Sequence, residues 1–372
     1  MKIAYVITRA DAVGGASIHV RDLARAMIER GHEVLVLIGG EGPVTKQLTR
    51  AGVPFRSLRR LQRAISPLSD LLALRELKSG LSAFQPDLVS LHTAKAGWLG
   101  RSACHALGLP AIYTPHGWTI GDRISRVQGL VYTAAERIAA RWARAIVCVS
   151  ESERRLALEK RIAVAGKLHV IHNGVRDVAP ELRARPGAHP PCLISVARFE
   201  APKDHATLLQ ALASLASLDW QLVLVGDGPL ESQLRGLAAT LGVASRVRFA
   251  GYHPDPAALL AEAQVFVLSS RSEGFPRSIL EAMRAGLPVV ASNVGGVSEA
   301  VSHEANGLLV PRSDIDALRA ALQRLLTHGA LREQLGESGR HTYESAFCFD
   351  AMMAKTIAVY DSVVKRDVHH TG

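Results

Sequence analysis

Two doubly wound α/β domains are expected from three features: short apolar runs alternating with amphipathic helical segments, a Pro-rich break near the middle, and a length of 372 residues. A chain that long exceeds what one core usually organises, so two domains of roughly 170–190 residues are the natural division. The boundaries fall at 1–177 for the first domain, 178–191 for a linker and 192–345 for the second domain. Residues 346–372 then form a C-terminal helix returning to the first domain.

The opening reads as a βαβ unit. Ile3–Ile7 is a short apolar run ended by the turn-prone stretch Ala10–Gly15. Val20, Leu23, Ala24 and Met27 then recur at helical spacing, Gly31 stops that helix, and Val34–Ile38 supplies the next buried strand. Further strands are expected near Leu88–Leu91, Ala111–Thr114, Ala145–Val149 and His169–Ile171. Pro180, Pro186, Pro190 and Pro191 mark the linker. Beyond it the alternation restarts at Leu193–Val196, Leu222–Val225, Val247–Ala250, Val265–Leu268 and Val289–Ala291. A final amphipathic stretch covers Ala351–Val364. Two such domains facing each other place a cleft at the carboxyl ends of both sheets.

Composition narrows the function classes. The formal charge is +10 at pH 7, and it is unevenly spread: residues 1–180 hold 26 basic and 14 acidic side chains, residues 181–372 hold 18 and 20. Such an excess suits nucleic acid, an anionic membrane surface or a phosphorylated substrate. With 48% hydrophobic residues the chain is not a disordered polyelectrolyte, and no window approaches the 18 or more apolar residues of a membrane span. The apolar run after Met1-Lys2 is too short for a signal-peptide core. Cys104, Cys148, Cys192 and Cys348 form no CxxC pair and are expected reduced and buried, in a cytoplasmic protein.

Three stretches could carry chemistry. Gly14-Gly15 follows a strand and opens a helix, so its backbone could approach an anion at the helix N-terminus; a plain tight turn fits two glycines equally well. Arg198 and Lys203 sit in the loop after the first strand of the second half, where a fork and a point charge could clamp a diphosphate; a solvated charge pair is the plainer meaning. The most specific stretch is SSRSEGFPRSILEAMRAGLPVVA, residues 269–291. There Glu273 lies in a loop after an apolar strand, Pro276 and Arg277 start a helix, and Glu281 lies on it. A phosphate at that helix start would be stabilised by the dipole and free amides, with Glu273 accepting hydrogen bonds from sugar hydroxyls and Glu281 from a ribose diol. Asp314-Ile315-Asp316 opens a helix and reads as a cap rather than a metal site. Gly226-Asp227-Gly228 lacks the full dinucleotide fingerprint.

The Glu273-x7-Glu281 pattern in its Gly-Phe-Pro and Gly-Leu-Pro surroundings resembles the family-4 (group 1) retaining glycosyltransferases, which have the GT-B fold of two Rossmann-like α/β/α domains. The resemblance covers nearly the whole chain: Gly14-Gly15, His116-Gly117, Val170–Val175, Arg198 with Lys203, Val225–Pro229 and the two glutamates, in that order. It implies that Arg198 and Lys203 neutralise the donor diphosphate, that Glu281 holds the ribose, and that Glu273 with Gly274, Phe275 and Pro276 holds the transferred sugar. Gly15 would bring amides to the phosphate, Asp227 would serve the nucleotide or cap a helix, and His116 would lie over the sugar. A nucleotide sugar, most naturally UDP-linked, is then the donor substrate, with no cofactor and no metal. Alternatives are a nucleotide-sugar epimerase of related fold and a non-catalytic sugar-nucleotide binding protein.

The basic first half suggests the acceptor. Arg56, Arg59, Arg60 and Arg63 accompany Phe55, Leu58, Leu61 and Ile65 in what reads as a basic amphipathic segment, and Arg137, Arg141 and Arg144 lie beside Ile138 and Trp142. The segment 91–101 looks like the acceptor side of relatives that extend polyprenyl-diphosphate-linked glycans. On that resemblance His92, Lys95, Trp98 and Arg101 face a lipid-linked saccharide, and the enzyme is peripheral at the inner face of the cell membrane, in bacterial surface polysaccharide assembly. No nucleic-acid recognition motif accompanies the charge, and the sequence sets no oligomeric state.

Overall fold

The computed structural model describes residues 1–118, 120 and 126–368. It divides into two units, one of residues 1–172 with 353–372 and the other of residues 173–352.

The first unit runs β1 (Lys2–Ile7), α1 (Gly15–Glu29), β2 (Glu33–Gly39), α2 (Pro43–Arg50), β3 (Phe55–Leu58), α3 (Pro67–Phe84), β4 (Leu88–His92), α4 (Ala94–Leu107), β5 (Ala111–Thr114), α5 (Arg126–Ala140), β6 (Ala145–Cys148), α6 (Glu151–Glu159) and β7 (Leu168–Val170). Its seven strands are all parallel, in the order β3-β2-β1-β4-β5-β6-β7. The central strands are buried throughout apart from Lys2 at the start of β1, which is why they read as largely apolar runs with no alternation.

The second unit contains β8 (Cys192–Val196), α7 (His205–Ala213), β9 (Gln221–Val225), α8 (Glu231–Thr240), β10 (Val247–Gly251), α9 (Ala257–Ala261), β11 (Val265–Leu268), α10 (Arg277–Arg284), β12 (Val289–Ser292), α11 (Val297–Ala300), β13 (Gly307–Val310), α12 (Ile315–Thr327) and α13 (Gly329–Thr342). Its parallel strands lie in the order β10-β9-β8-β11-β12-β13. Each unit has its own core, one built around Val6, Leu37, Leu91 and Ile146, the other around Leu193, Leu224, Val267 and Leu322. A last helix, α14 (Phe349–Val368), begins in the second unit and belongs to the first from Met353 on.

The structure differs from the sequence reading in four places. The Pro-rich stretch 178–191 lies inside the second unit, because buried Arg332 donates to the carbonyls of Pro186, Gly187 and Ala188 and fastens it there. Phe55–Leu58, within the stretch read as a basic amphipathic segment, is the edge strand β3, paired with β2 alone. Arg56 is exposed on that edge strand, with its guanidinium near Gly80 of α3, and a charge on an edge strand discourages pairing with another chain. Gly307–Val310 adds strand β13, and α14 starts two residues before the expected stretch and ends four residues after it. The Asp314 carboxylate caps α12, accepting from the amide of Ala317 at 2.9 Å.

Arg101 on α4 has no exposure at all. Its Nη2 donates to Glu136 Oε2 on α5 at 2.8 Å, its Nε to the carbonyl of Gly97 at 2.8 Å, and its guanidinium carbon lies 4.0 Å from the centre of the Tyr113 ring. Burial pushes the Glu136 carboxyl above its ordinary range, against the pull of the Arg101 charge. Removing one member of such a pair strands the other's charge in the core. Glu136→Ala should cost about 3–5 kcal/mol in urea denaturation followed by circular dichroism, and pairing Arg101→Met with Glu136→Leu should recover most of it. A loss below about 1 kcal/mol in the single variant would mean that the pair is solvated.

Candidate active site

Both sheets reverse strand order once, between β1 and β4 in the first unit and between β8 and β11 in the second. At such a point the loops leaving neighbouring strands diverge toward opposite faces and leave a crevice at the carboxyl edge. The candidate residues of each unit gather there.

In the second unit the loops after β8, β9, β11 and β12 meet. Lys203 Nζ donates to Glu273 Oε1 at 2.6 Å, directly across the reversal, with Glu273 half-buried. Arg198 reaches Asp227 Oδ1 with Nη1 and Glu200 Oε1 with Nε, each at 2.9 Å. The backbone adds a second link, since the Phe199 amide donates to the Asp227 carbonyl at 2.8 Å. Gly226, at φ 149°, brings that loop so close that a Cβ would lie 2.1 Å from the Ala197 carbonyl oxygen. Burial, then the Lys203 charge, pushes His205 down to about 4, so its imidazole beside Phe199 is neutral.

The loop carrying Glu273 is braced from below. Asn173 Nδ2 donates to the Phe275 carbonyl at 2.7 Å, and Arg277 Nη1 to the Gly174 carbonyl at 3.2 Å. Arg271 and Asp204 make a two-fold ion pair at 3.0 Å, and Ser269 Oγ donates to the Asp204 carbonyl at 3.0 Å. Burial raises the Asp204 carboxyl, but bonds from Arg271, Ser313 and Thr207 outweigh it and leave the group below its ordinary range. Pro276 is the N-cap of α10 and offers no side-chain cap, so nothing from its own side chain covers the helix-start amides. Gly274 and Glu281 are part-buried on either side of that start, and Phe275 and Pro276 are buried.

In the first unit Gly14 is the N-cap of α1, with its amide donating to Ser17 Oγ at 3.0 Å, and Gly15 is exposed at the start of the helix, whose first turn contains no acid. Across the reversal, Thr8 and Thr93 share a hydroxyl hydrogen bond of 2.7 Å, and the Ala96 amide donates to Thr8 Oγ1 at 3.0 Å. Thr93 has a φ of 71°, a rare conformation for a β-branched residue, and residues so strained concentrate at functional sites. His116 follows β5 at φ 55°. Its Nε2 lies 2.9 Å from His92 Nδ1, and the His92 Nε2 lies 2.9 Å from Ser90 Oγ. Ser90 Oγ in turn accepts from the Tyr360 hydroxyl at 2.9 Å. Burial, then the neighbouring His116, drives His92 well below the usual histidine range, so it is neutral near pH 7.

The structure brings together Arg198, Lys203, Asp227 and Glu273 in one unit, and Gly15, His92 and His116 at the carboxyl edge of the other sheet. It does not support the acceptor-side reading of two residues. Arg101 is sealed in the core by Glu136, and Lys95 is bound by Asp70 Oδ1 at 2.6 Å and by the Ala64 carbonyl, fastening α4 to α3. Trp98 is part-buried on α4. Sequence reasoning missed His19, Thr8, Thr93 and the glycine that supports Glu273. His19 leaves a trace in the sequence, a polar side chain beside Val20 on an otherwise apolar helix face.

These two α/β units, each with its crevice at a strand-order reversal, and in the second a pair of cations in the loop beside the uncapped start of α10, have the build of a phosphate-handling enzyme. Residues 13–177 match the family described as Glycosyltransferase Family 4, and residues 180–342 match Glycosyl transferases group 1. The phosphatidyl-myo-inositol mannosyltransferase of Mycobacterium leprae is 31% identical over 95% of this chain and 94% of its own. The UDP-Gal:alpha-D-GlcNAc-diphosphoundecaprenol alpha-1,3-galactosyltransferase of Escherichia coli is 29% identical over 76% of this chain and 77% of its own. Among solved structures, Anabaena HepE in complex with UDP and glucose superposes with a TM-score of 0.83, at 22% identity, over 97% of this chain and 100% of that one. The chain belongs to the group 1, family 4 glycosyltransferases, and it has the GT-B fold. It is a glycosyltransferase, which sets aside the epimerase and binding-protein alternatives.

Gly295, at φ 55°, supports the acid loop: a Cβ there would lie 1.8 Å from the Glu273 carbonyl oxygen. Gly295→Ala should displace Glu273 without unfolding the unit, and a misplacement near 1 Å should lower transfer on the order of a hundredfold. An unchanged initial rate, with the variant's melting temperature also unchanged, counts against that placement of Glu273.

Proposed function

We propose that this glycosyltransferase moves a hexose or N-acetylhexosamine from a nucleoside-diphosphate sugar, UDP-linked in the first instance, to a lipid-linked saccharide at an anionic membrane face, with retention of anomeric configuration. The observation that carries the reading is the Lys203–Glu273 pair across the strand reversal, with Arg198 beside it on Asp227. In transfer, the bond from the anomeric carbon to the diphosphate oxygen breaks and negative charge grows on the leaving group. Cations already held in position by carboxylates need little reorganisation to meet that charge, and this is where fixed electrostatics lower a barrier most. The α10 amides supply further positive potential, and no metal is required. Glu273 and the Gly274–Pro276 backbone hold the sugar, Glu281 holds the ribose, and Gly15 brings the α1 amides to the phosphate. His116 lies over the sugar. The acceptor hydroxyl bonds to the anomeric carbon on the face the diphosphate leaves, and its proton passes to the departing phosphate oxygen.

Two relatives support the substrate classes. The Escherichia coli enzyme is named for a UDP-sugar donor and a diphosphoundecaprenol-linked acceptor, and the Mycobacterium leprae enzyme for a phosphatidyl lipid. The surface of the first unit agrees with a membrane partner. Ile65, Leu68 and Leu71 are exposed around the start of α3, with Arg59, Arg60 and Arg63 exposed in the preceding loop. Val127, Leu130 and Val131 are exposed on α5, and both helices flank α4. Apolar side chains ringed by arginine suit an interface with anionic headgroups. No helix among the described residues is long and apolar enough to cross a membrane.

Incubation with labelled nucleotide sugars and a lipid-linked glycan extract should label the lipid fraction only when acceptor is present. Glu273→Ala and Lys203→Ala should each lower that transfer by about 10²–10³-fold while leaving the circular dichroism spectrum intact. Rates like the parent's in both variants overturn the site. In parallel, the protein should sediment with anionic vesicles at low salt and lose that affinity when Arg56, Arg59, Arg60 and Arg63 become glutamine. Equal binding to neutral vesicles, or no effect of the four substitutions, removes the membrane from the proposal.

A further inference from the structure

The carboxyl edge of the first sheet carries a second kind of chemistry. His19 on α1, His92 at the end of β4 and His116 after β5 each offer one ring nitrogen, and those atoms all lie within 4.8 Å of one another. The ring centroids stand 4.9 Å (His19–His116), 5.2 Å (His92–His116) and 5.7 Å (His19–His92) apart. A tetrahedral ion about 2.0–2.1 Å from each of three imidazole nitrogens sets the ring centroids about 5 Å apart. The three rings therefore stand at the separation that ligation of one ion needs. Ligation would open the 2.9 Å His92–His116 contact by a few tenths of an ångström and bring the ligand atoms, now within 4.8 Å of one another, to about 3.3 Å.

We propose that this cluster binds one borderline divalent transition ion, Zn2+ foremost, through three imidazoles with a fourth position open. The donor set selects the ion: among the described residues the cluster is imidazoles without a carboxylate, which suit Zn2+, Co2+, Ni2+ or Cu2+ and do not suit Mg2+ or Ca2+. The surroundings have the form of a supported site. His92 directs its other nitrogen to Ser90 Oγ, and Ser90 is anchored by Tyr360, so the ring is oriented and its Nδ1 faces the cluster. His19 and His92 are buried whereas His116 is only partly so, which leaves the open position on the His116 side. The ligands come from three separate elements, so no spacing rule in the sequence discloses them.

One consequence rests on the proposed function and the binding itself does not. If His116 lies over the transferred sugar, an ion held on it occupies that space and transfer stops until a chelator removes the ion.

The test uses the full-length untagged chain, titrated with Co2+ and followed by its visible ligand-field absorption, then with Zn2+ in competition. One ion per chain is expected, with the intense bands of a tetrahedral centre, and with a concentration-dependent rise in melting temperature. Ser90→Ala should weaken binding by about 10–100-fold, and His19→Gln and His116→Gln by at least as much. His116→Gln lies in a partly exposed turn, so it reports even if the buried His19 variant fails to fold. Replacing His369 and His370 with alanine should change nothing. Absence of saturable one-to-one binding, or binding lost only in the His369 and His370 variant, overturns the site. Stoichiometric binding with no inhibition of transfer keeps the site and overturns instead the placement of His116 over the sugar.

Discussion

Parallel pairing of every strand is the constraint on which the rest of this molecule depends. With all strands pointing one way, each β-to-α connection must emerge at the same edge of its sheet, and each return helix must cross a face. Gly14-Gly15, Thr93 and His116 share one edge for that reason, and Arg198, Asp227 and Glu273 share another, although up to about a hundred residues separate them in sequence. The single reversal of strand order then decides which loops stand side by side. It puts the loop after β8 beside the loop after β11, and hence Lys203 beside Glu273.

The same geometry accounts for much of the positive charge. Arginines here are frequently internal fasteners and not ligands. Arg101 ties α4 to α5, Arg332 ties the 186–188 backbone to α13, and Arg340 grips Asp177 and Glu344 while holding the Asp177 carboxyl below its ordinary range. A guanidinium suits this work because its planar fork satisfies several carbonyls or carboxylate oxygens at once, which offsets the desolvation of a buried charge. Among the cations left exposed in the first unit, Arg59, Arg60 and Arg63 precede the exposed apolar side chains Ile65 and Leu68.

Legibility in the sequence followed the strength of the local pattern. Strands such as Ile3–Ile7 and Val265–Leu268 are sheathed on both faces, so their apolar runs were plain to read, whereas the edge strands Phe55–Leu58 and Gly307–Val310 were not. Both are runs of only four residues, and Arg56 interrupts the first, whereas the edge strands Leu168–Val170 and Val247–Gly251 follow a clearer break in pattern. The acid-bearing stretch 269–291 was legible because loop, helix start and both glutamates are contiguous. His19 and Thr93 were not, because their partners lie on other strands and nothing local records the meeting.

The sequence by itself determined the family, the two α/β units and the acidic stretch around Glu273, since these depend on local pattern and on residue types at short spacing. Tertiary structure alone decided which charges are available for chemistry. Lys95 and Arg101 carry the same formal charge as Lys203 and Arg198, and in the sequence nothing separates the two pairs. Packing places the first pair against Asp70 and Glu136 between helices, and the second at the open edge of a sheet. The reason is physical: whether a cation serves as a fastener or as a binding group depends on how much low-dielectric protein surrounds it, and that is a property of the assembled layers.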